Sequence, residues 1–425
     1  EIPIRNTLSW NALIAGYVQQ GQCHEALNCL QQMQKDGLSP NLSTYLCIIK
    51  ACGNIGAIEI GKLIHHEILN KGMLGKDSLL GSALVGMYAK CGMLGKAKDV
   101  FDELPVQDVV SWSALISGYA HKGQCHEALL CFKQMRSCGV SPDVVTFICI
   151  LKACGYTRAI NEGKLIHDEV VDEGLLEKDT ALGTALIDMY AKCGMLGKAQ
   201  EVLKELVPCN EATWNALIAG YVEQGQCLDA LSCFEQMQSQ GHYPSTITYT
   251  CILKACGSVG ALDMGKQIHD KILSKRLLEN DTVLGNALVD MYAKCGFLVK
   301  AQKVLDDLHV QDAVSWNALI TGFVQQELCR EALFCFKKMQ NNGFSSDEVT
   351  LICILKACGR IGAINTGKQI HGDILRRELL DKDIVLGGAL VDMYAKCGML
   401  ALAQDVLEEL PFRNVVSWSS LIAGY

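Results

Sequence analysis

Apolar residues recur three and four apart along this chain in short runs, and the runs come in pairs. Within residues 109–143, Trp112, Leu115, Ile116 and Tyr119 make one run and Ala128, Leu129, Phe132 and Met135 a second. That spacing puts each run on one face of a helix. Lys122-Gly123 separates the runs, and Gly139-Val-Ser-Pro-Asp closes the second. Glycine supplies a helix stop and Pro142 forbids continuation, so the segment predicts helix, tight turn, helix, loop. The sequence carries no strand signal, low-complexity linker or internal domain boundary.

The pair of runs is then rewritten at fixed spacing. The stretch SWNALIAGYVQQGQCHEAL, Ser9 to Leu27, returns with its tryptophan at Trp10, Trp112, Trp214, Trp316 and Trp418, 102 residues apart, and these are all 5 tryptophans of the chain. Each 102-residue block divides into units of 35, 36 and 31 residues. The blocks are 7–108, 109–210, 211–312 and 313–414; residues 1–6 close a truncated unit and 415–425 open another. The sequence therefore reads as a piece of something longer. One hairpin cannot bury its apolar stripe alone, but stacked neighbours can. The expected fold is all-α, a right-handed superhelical α-solenoid of helix-turn-helix repeats.

Composition refines this picture. No apolar run approaches the roughly 18 to 20 residues of a membrane span, which predicts a soluble array. Of the 22 cysteines, 20 fall on five registers repeated in every block, Cys138 and Cys209 being the extras, and no C-x-x-C occurs. Zinc sites lack their usual ligand pairs, so these are expected to be reduced packing residues. The net charge of −8 gives no global attraction to nucleic acid. His65, His167, His269 and His371 recur once per block after Gly-Lys without regular acidic partners, which reads as structural or polar-face histidine. The Gly-Lys dipeptides lack the spacing of a phosphate-binding loop and are expected at helix starts.

Trp, Leu three on, Tyr seven on, and Ala26-Leu27 resemble a tetratricopeptide unit. Ile14, Ile116, Ile218 and Ile320 stand where that pattern needs Gly, and three alternating lengths are foreign to it. V-S-W-N-A-L-I-x-G-Y/F, E-A-L-x-C-F/L-x-x-M and G-x-x-P-D instead resemble the pentatricopeptide repeat family. The length rotation, with LKACG, GKQIH and MYAKCG (Leu151–Gly155, Gly265–His269, Met189–Gly194), is similar to its plant organellar subgroup of alternating P, L and S units. The resemblance covers the whole chain.

What the resemblance implies is a single-stranded RNA binder that reads one base per unit through the unit's fifth and last residues. In the P and S units those pairs are Asn11 with Asn41, Ser82 with Asp108, Ser113 with Asp143, Thr184 with Asn210, Asn215 with Ser245, Asn286 with Asp312, and Asn317 with Asp347. All are small and polar, with donors and acceptors for a base edge. Gly388 with Asn414 offers no reading side chain at the fifth place. Helix capping would also select Ser, Thr and Asn at the fifth place. The L units weigh against capping there, since Leu46, Ile148 and Ile352 cannot hydrogen-bond a base; Thr250 with Asp281 is the exception. The resemblance implies the base series pyrimidine, unread, G, G, unread, A, C, unassigned, U, U, unread, unassigned, with the RNA parallel to the chain.

Two further sets carry two readings each. The second residues Val110, Val283, Val314 and Val349 wedge between bases or pack at a helix start. Lys90, Lys192, Lys294 and Lys396, at the end of the first helix of each S unit, contact phosphate or are solvated helix-end lysines. With Lys50, Lys152, Lys254 and Lys356 they give an acidic chain a local positive track. The resemblance further implies a role in C-to-U RNA editing in a mitochondrion or plastid, with small organellar editing-factor proteins docking on the L units. It implies no cofactor, membrane or small-molecule substrate. No H-x-E with a downstream P-C-x-x-C is present, so this stretch reads as catalytically silent. The rival expectations are a peptide-binding scaffold of the tetratricopeptide kind and, more distantly, a zinc hydrolase built from the repeated Cys and His.

Overall fold

The computed structural model describes residues 6–74, 78–206, 209–279, 281–380, 383–411, 413 and 415–425. Among them are 25 α-helices, one short 3-10 helix at Leu277–Glu279, and no strand. The fold is an all-α helical-repeat solenoid. First helices begin at Thr7, Leu42, Ser78, Val109, Val144, Thr180, Glu211, Thr246, Thr282, Ala313, Glu348, Ile384 and Val415, which are the first residues of the repeating units. Each is 10 to 14 residues long and, Val415–Gly424 excepted, a second helix follows it. None of the described helices is long and apolar enough to cross a membrane.

The chain forms two compact units, Glu1–Gly220 and Tyr221–Tyr425, built alike. Within each, a first helix packs on its own second helix and side by side with the first helix of the next repeat. The second helices form the other layer. Trp10, Trp112, Trp214 and Trp316 are buried in that stack, as are Ile14, Leu115, Ile116 and Met135. A buried aromatic of this size at one register per block is worth about 3–5 kcal/mol against alanine.

The turns follow local chemistry. Gly21, Gly123, Gly225 and their equivalents Gly92, Gly194, Gly296 and Gly398 end first helices at φ of 73° to 81°, a region where glycine pays no Cβ penalty. Glycines inside helices have a different reason. A Cβ on Gly163 would stand 2.6 Å from Met189 Sδ, and one on Gly322 would stand 2.8 Å from Ala293 Cβ. Gly95-Lys96 and Gly197-Lys198 lie at helix starts as expected, whereas the Gly-Lys dipeptides before the histidines begin on the fourth residue of their helices, as in Ile160–Asp172. They sit there because the glycine lets that helix approach the methionine of the next repeat.

Candidate nucleic-acid interface

The last residue of a unit is the N-cap of the next unit's first helix. Asn41, Asp108, Asp143, Asp312 and Asp347 have extended backbones, and a side-chain oxygen of each accepts from the third helical N–H at 2.7–3.1 Å. Asn210 receives Thr213 N–H at 3.0 Å and Ser245 receives Thr248 N–H at 3.5 Å. Capping, weighed and disfavoured at the fifth residue on sequence grounds, belongs to the last. The fifth residue lies inside the first helix and is recessed, with Ser82 3% and Asn317 9% exposed. The last residue sits at the rim, half-buried or exposed.

The helices bring most pairs together. Asn11 donates to Asn41 at 2.9 Å, Ser82 to Asp108 at 3.1 Å, Ser113 to Asp143 at 2.8 Å, and Asn286 to Asp312 at 2.8 Å. Thr184 instead donates to its own helix at Thr180 O, while Asn210 donates to the Thr180 hydroxyl. Both still line one cavity of about 370 Å3 with Ile148, Lys152 and Asp188. Asn215 and Ser245 fall in different compact units; within its own, Asn215 donates to Glu211 at 3.3 Å. Asn414 lies outside the described residues, and Gly388 is buried.

A residue that sequence reasoning missed braces two of these pairs, Asn11 with Asn41 and Ser113 with Asp143. The third residue of the following unit is a buried Ser or Thr: Thr44, Ser111, Thr146, Thr213, Thr248, Ser315 or Thr350. Thr44 Oγ1 donates to Asn11 Oδ1 at 2.5 Å, and Thr146 Oγ1 lies 2.5 Å from Ser113 Oγ and 2.6 Å from Asp143 Oδ1. The recurring V-S-W and V-T-F triplets were its signal. After each 36-residue unit the third place is Leu80, Leu182, Leu284 or Leu386, all buried. The last residues there, Asp179, Asp281 and Asp383, cap helices without that hydroxyl. Thr250, the polar exception among Leu46, Ile148 and Ile352, gives its hydroxyl to Thr246 O at 2.8 Å.

The pair Asn317 and Asp347 differs from the rest. They line a cavity of about 260 Å3 together with Val314, Val349, Lys294 and Thr350. Among the described residues nothing hydrogen-bonds the buried Asn317 Oδ1 or the buried Thr350 Oγ1. The equivalent atoms at Asn11 and Thr44 are bonded to each other. A buried polar atom left unsatisfied costs about 1–3 kcal/mol.

The walls are now defined. Val110, Val283, Val314 and Val349 are 52–61% exposed, so packing at the helix start covers less than half of each. Leu8, Leu79, Val145, Ile247 and Val385 repeat that exposure at the second place. Lys192, Lys294 and Lys396 each pair with an aspartate one turn earlier, Asp188, Asp290 or Asp392, at 2.7 Å. Lys90, which has Gly86 in that place, donates to Asn54 at 3.0 Å.

The repeated histidines and cysteines belong to the packing. The Nδ1 atoms of His65, His167, His269 and His371 lie 2.8–3.0 Å from Tyr88, Tyr190, Tyr292 and Tyr394 Oη in the next repeat. Burial lowers the pKa of all four from the ordinary 6.5. Burial pushes the Cys52 thiol up to about 11 and those of Cys154, Cys256 and Cys358 up to about 12. Thiols so held are protonated at neutral pH and poor nucleophiles. Among the described residues no group of three His, Cys, Asp or Glu is placed to hold a metal ion.

The sequence model of the PPR repeat family matches residues 5–54, 107–155, 209–258 and 311–360, and that of the PPR repeat matches 82–109, 184–207, 247–277 and 286–311. The chain belongs to the pentatricopeptide repeat family. A chloroplastic pentatricopeptide repeat-containing protein of Arabidopsis thaliana is 34% identical over 425 residues, 100% of this chain and 68% of the relative. A mitochondrial one from the same plant is 33% identical over 487 residues, 99% of this chain and 47% of the relative. The chain thus spans about half to two thirds of the length of such relatives. The crystal structure of the pentatricopeptide repeat protein PPR10 from maize matches 99% of the chain and 72% of its own at TM-score 0.62 and 19% identity. PPR10 in complex with an 18-nt psaJ RNA element matches 100% of this chain and 73% of its own at TM-score 0.50 and 19% identity.

Proposed function

We propose that this pentatricopeptide repeat chain is a sequence-specific single-stranded RNA binder that reads one base per P or S unit. The observation that carries the reading is the Asn317 site. A recessed carboxamide, a rim carboxylate and two exposed valines surround a cavity of about 260 Å3, room enough for a base, with two buried polar atoms that lack partners among the described residues. The imide N–H of uracil suits the Asn317 oxygen, and its carbonyls suit the Asn317 amide and the Thr350 hydroxyl. Val314 and Val349 stack against the base faces. The recurrence of the fifth-and-last pair at one spacing extends the same logic along the array. In the 36-residue units an aliphatic fifth residue and an unbraced cap leave no comparable donor and acceptor set.

The alternation of unit lengths makes the chain a P-L-S array, and its place is a mitochondrion or plastid, as for the relatives named chloroplastic or mitochondrial. There it targets C-to-U editing, with the deaminase supplied from outside this stretch and small editing-factor proteins docking on the L units. Selection from a random RNA pool tests the reading. Enrichment of G-G at units three and four and of U-U at units nine and ten is expected. Recovery of RNAs with no common bases, or preferential binding of peptides by the first-helix face, sinks it.

A further inference from the structure

We infer that the lysine at the ninth place of each 36-residue unit, Lys50, Lys152, Lys254 and Lys356, holds a backbone phosphate of the bound strand. The unit that cannot read a base grips the RNA instead. The inference rests on the RNA-binding reading proposed above and assigns it four residues of a separate kind.

These lysines stand one helical turn after the fifth residue, on the same face of the first helix. All four are exposed, and among the described residues none is in an ion pair. The residue one turn earlier is Leu46, Ile148, Thr250 or Ile352, which offers the ammonium no carboxylate. Contrast the lysines that close the first helices of the 31-residue units. Asp188, Asp290 and Asp392 pair with three of them at 2.7 Å. The positive track suggested by composition is therefore carried by the 36-residue units, once per 102 residues.

Placement points to a nucleotide as the counter-charge. Lys152 lines the same 370 Å3 cavity as Thr184 and Asn210, the reading pair of the next unit, while Asp188 on that wall is already occupied by Lys192. The corresponding wall of the Asn317 cavity carries the Asp290–Lys294 pair and no free ammonium. An ammonium has three donors and no acceptor and binds phosphate as a point charge. At the edge of a base cavity, the strand entering that cavity brings a phosphate within its reach. This contact carries no base information.

The test uses the full chain and a fluorescein-labelled oligoribonucleotide bearing the base series given above, with affinity measured over a salt series. Lys152→Ala is expected to lower the slope of log affinity against log salt by about 0.7 and to weaken binding equally for every base substituted in the probe. Lys152→Arg should keep the slope, and Lys164→Ala, an exposed lysine on the second helix Ile160–Asp172, should leave it unchanged. A probe with one neutral methylphosphonate beside the Thr184 nucleotide should erase the effect of Lys152→Ala. Because Lys152 is exposed, thermal melts of the variants should match the parent. An unchanged slope, a loss that depends on base identity, or a loss that arginine fails to rescue overturns the inference. Loss of base preference in the parent with the lysine effect intact would remove the reading code and leave this contact standing. A parent chain that does not bind the probe refutes both.

Discussion

Asp143 does two jobs, and substitution can separate them. One carboxylate oxygen accepts from Thr146 N–H at 2.7 Å, Thr146 Oγ1 at 2.6 Å and Ser113 Oγ at 2.8 Å. The first bond caps the helix Val144–Thr157; the others hold the reading pair. Asp143→Ala removes the cap, worth about 1 kcal/mol. It also leaves two buried hydroxyls with only each other, so one proton loses its acceptor at a cost of about 1–3 kcal/mol. The expected destabilisation is about 2–4 kcal/mol in all. Asp143→Asn keeps an oxygen where all three donors point and loses only charge at a helix start, about 0.3–1 kcal/mol. Urea denaturation followed by far-UV circular dichroism, with hydrogen exchange across residues 144–157, reads both variants. The asparagine variant should fold nearly as well as the parent while its base preference at that unit moves from G toward A. An alanine variant within about 0.5 kcal/mol of the parent, or an asparagine variant as unstable as the alanine one, would refute the cap-and-reader assignment.

Two other predictions concern the packing between repeats. Gly322→Ala places a methyl 2.8 Å from Ala293 Cβ and 3.4 Å from Ala293 Cα, so it should cost about 1–3 kcal/mol despite the better helix propensity of alanine, whereas Gly197→Ala, which meets nothing within 4 Å, should stabilise by about 0.5–1 kcal/mol in the same urea assay. The four recurring histidines, buried or half-buried, predict acid sensitivity. Their folded pKa values lie below 6.5, so the unfolded chain takes up protons first, and stability present above pH 6.5 is lost as pH falls from there toward the lowered values. Melting temperature should drop between about pH 7.5 and 5.5, and replacing the four histidines by glutamine should flatten that profile; an equal drop in the variant would assign the sensitivity elsewhere.

Helix, turn and period were legible in the sequence because they depend on neighbours a few residues apart. Trp112, Leu115 and Ile116 mark a face, Gly123 and Pro142 mark its ends, and the repeat fixes what stacks on what. The reading pair was nameable through resemblance, but its support was not. Whether the fifth or the last residue caps depends on which one has extended backbone, and apolar periodicity locates a helix start only to within a residue or two. The Thr146 brace required knowing that the hydroxyl of one repeat faces the pair of the previous one. His167 meets Tyr190 across 23 residues, a contact fixed by helix packing alone. The Asp188–Lys192 pair was readable as an i, i+4 spacing.

The central claim is that the fifth and last residues of a unit jointly select one base. Asn317→Thr in the parent chain, assayed by competition among four oligoribonucleotides differing only at the nucleotide facing that unit, tests it most directly. The account predicts that preference moves from U toward G there and stays fixed at every other position. A preference unchanged at that nucleotide, with affinity retained, would contradict it.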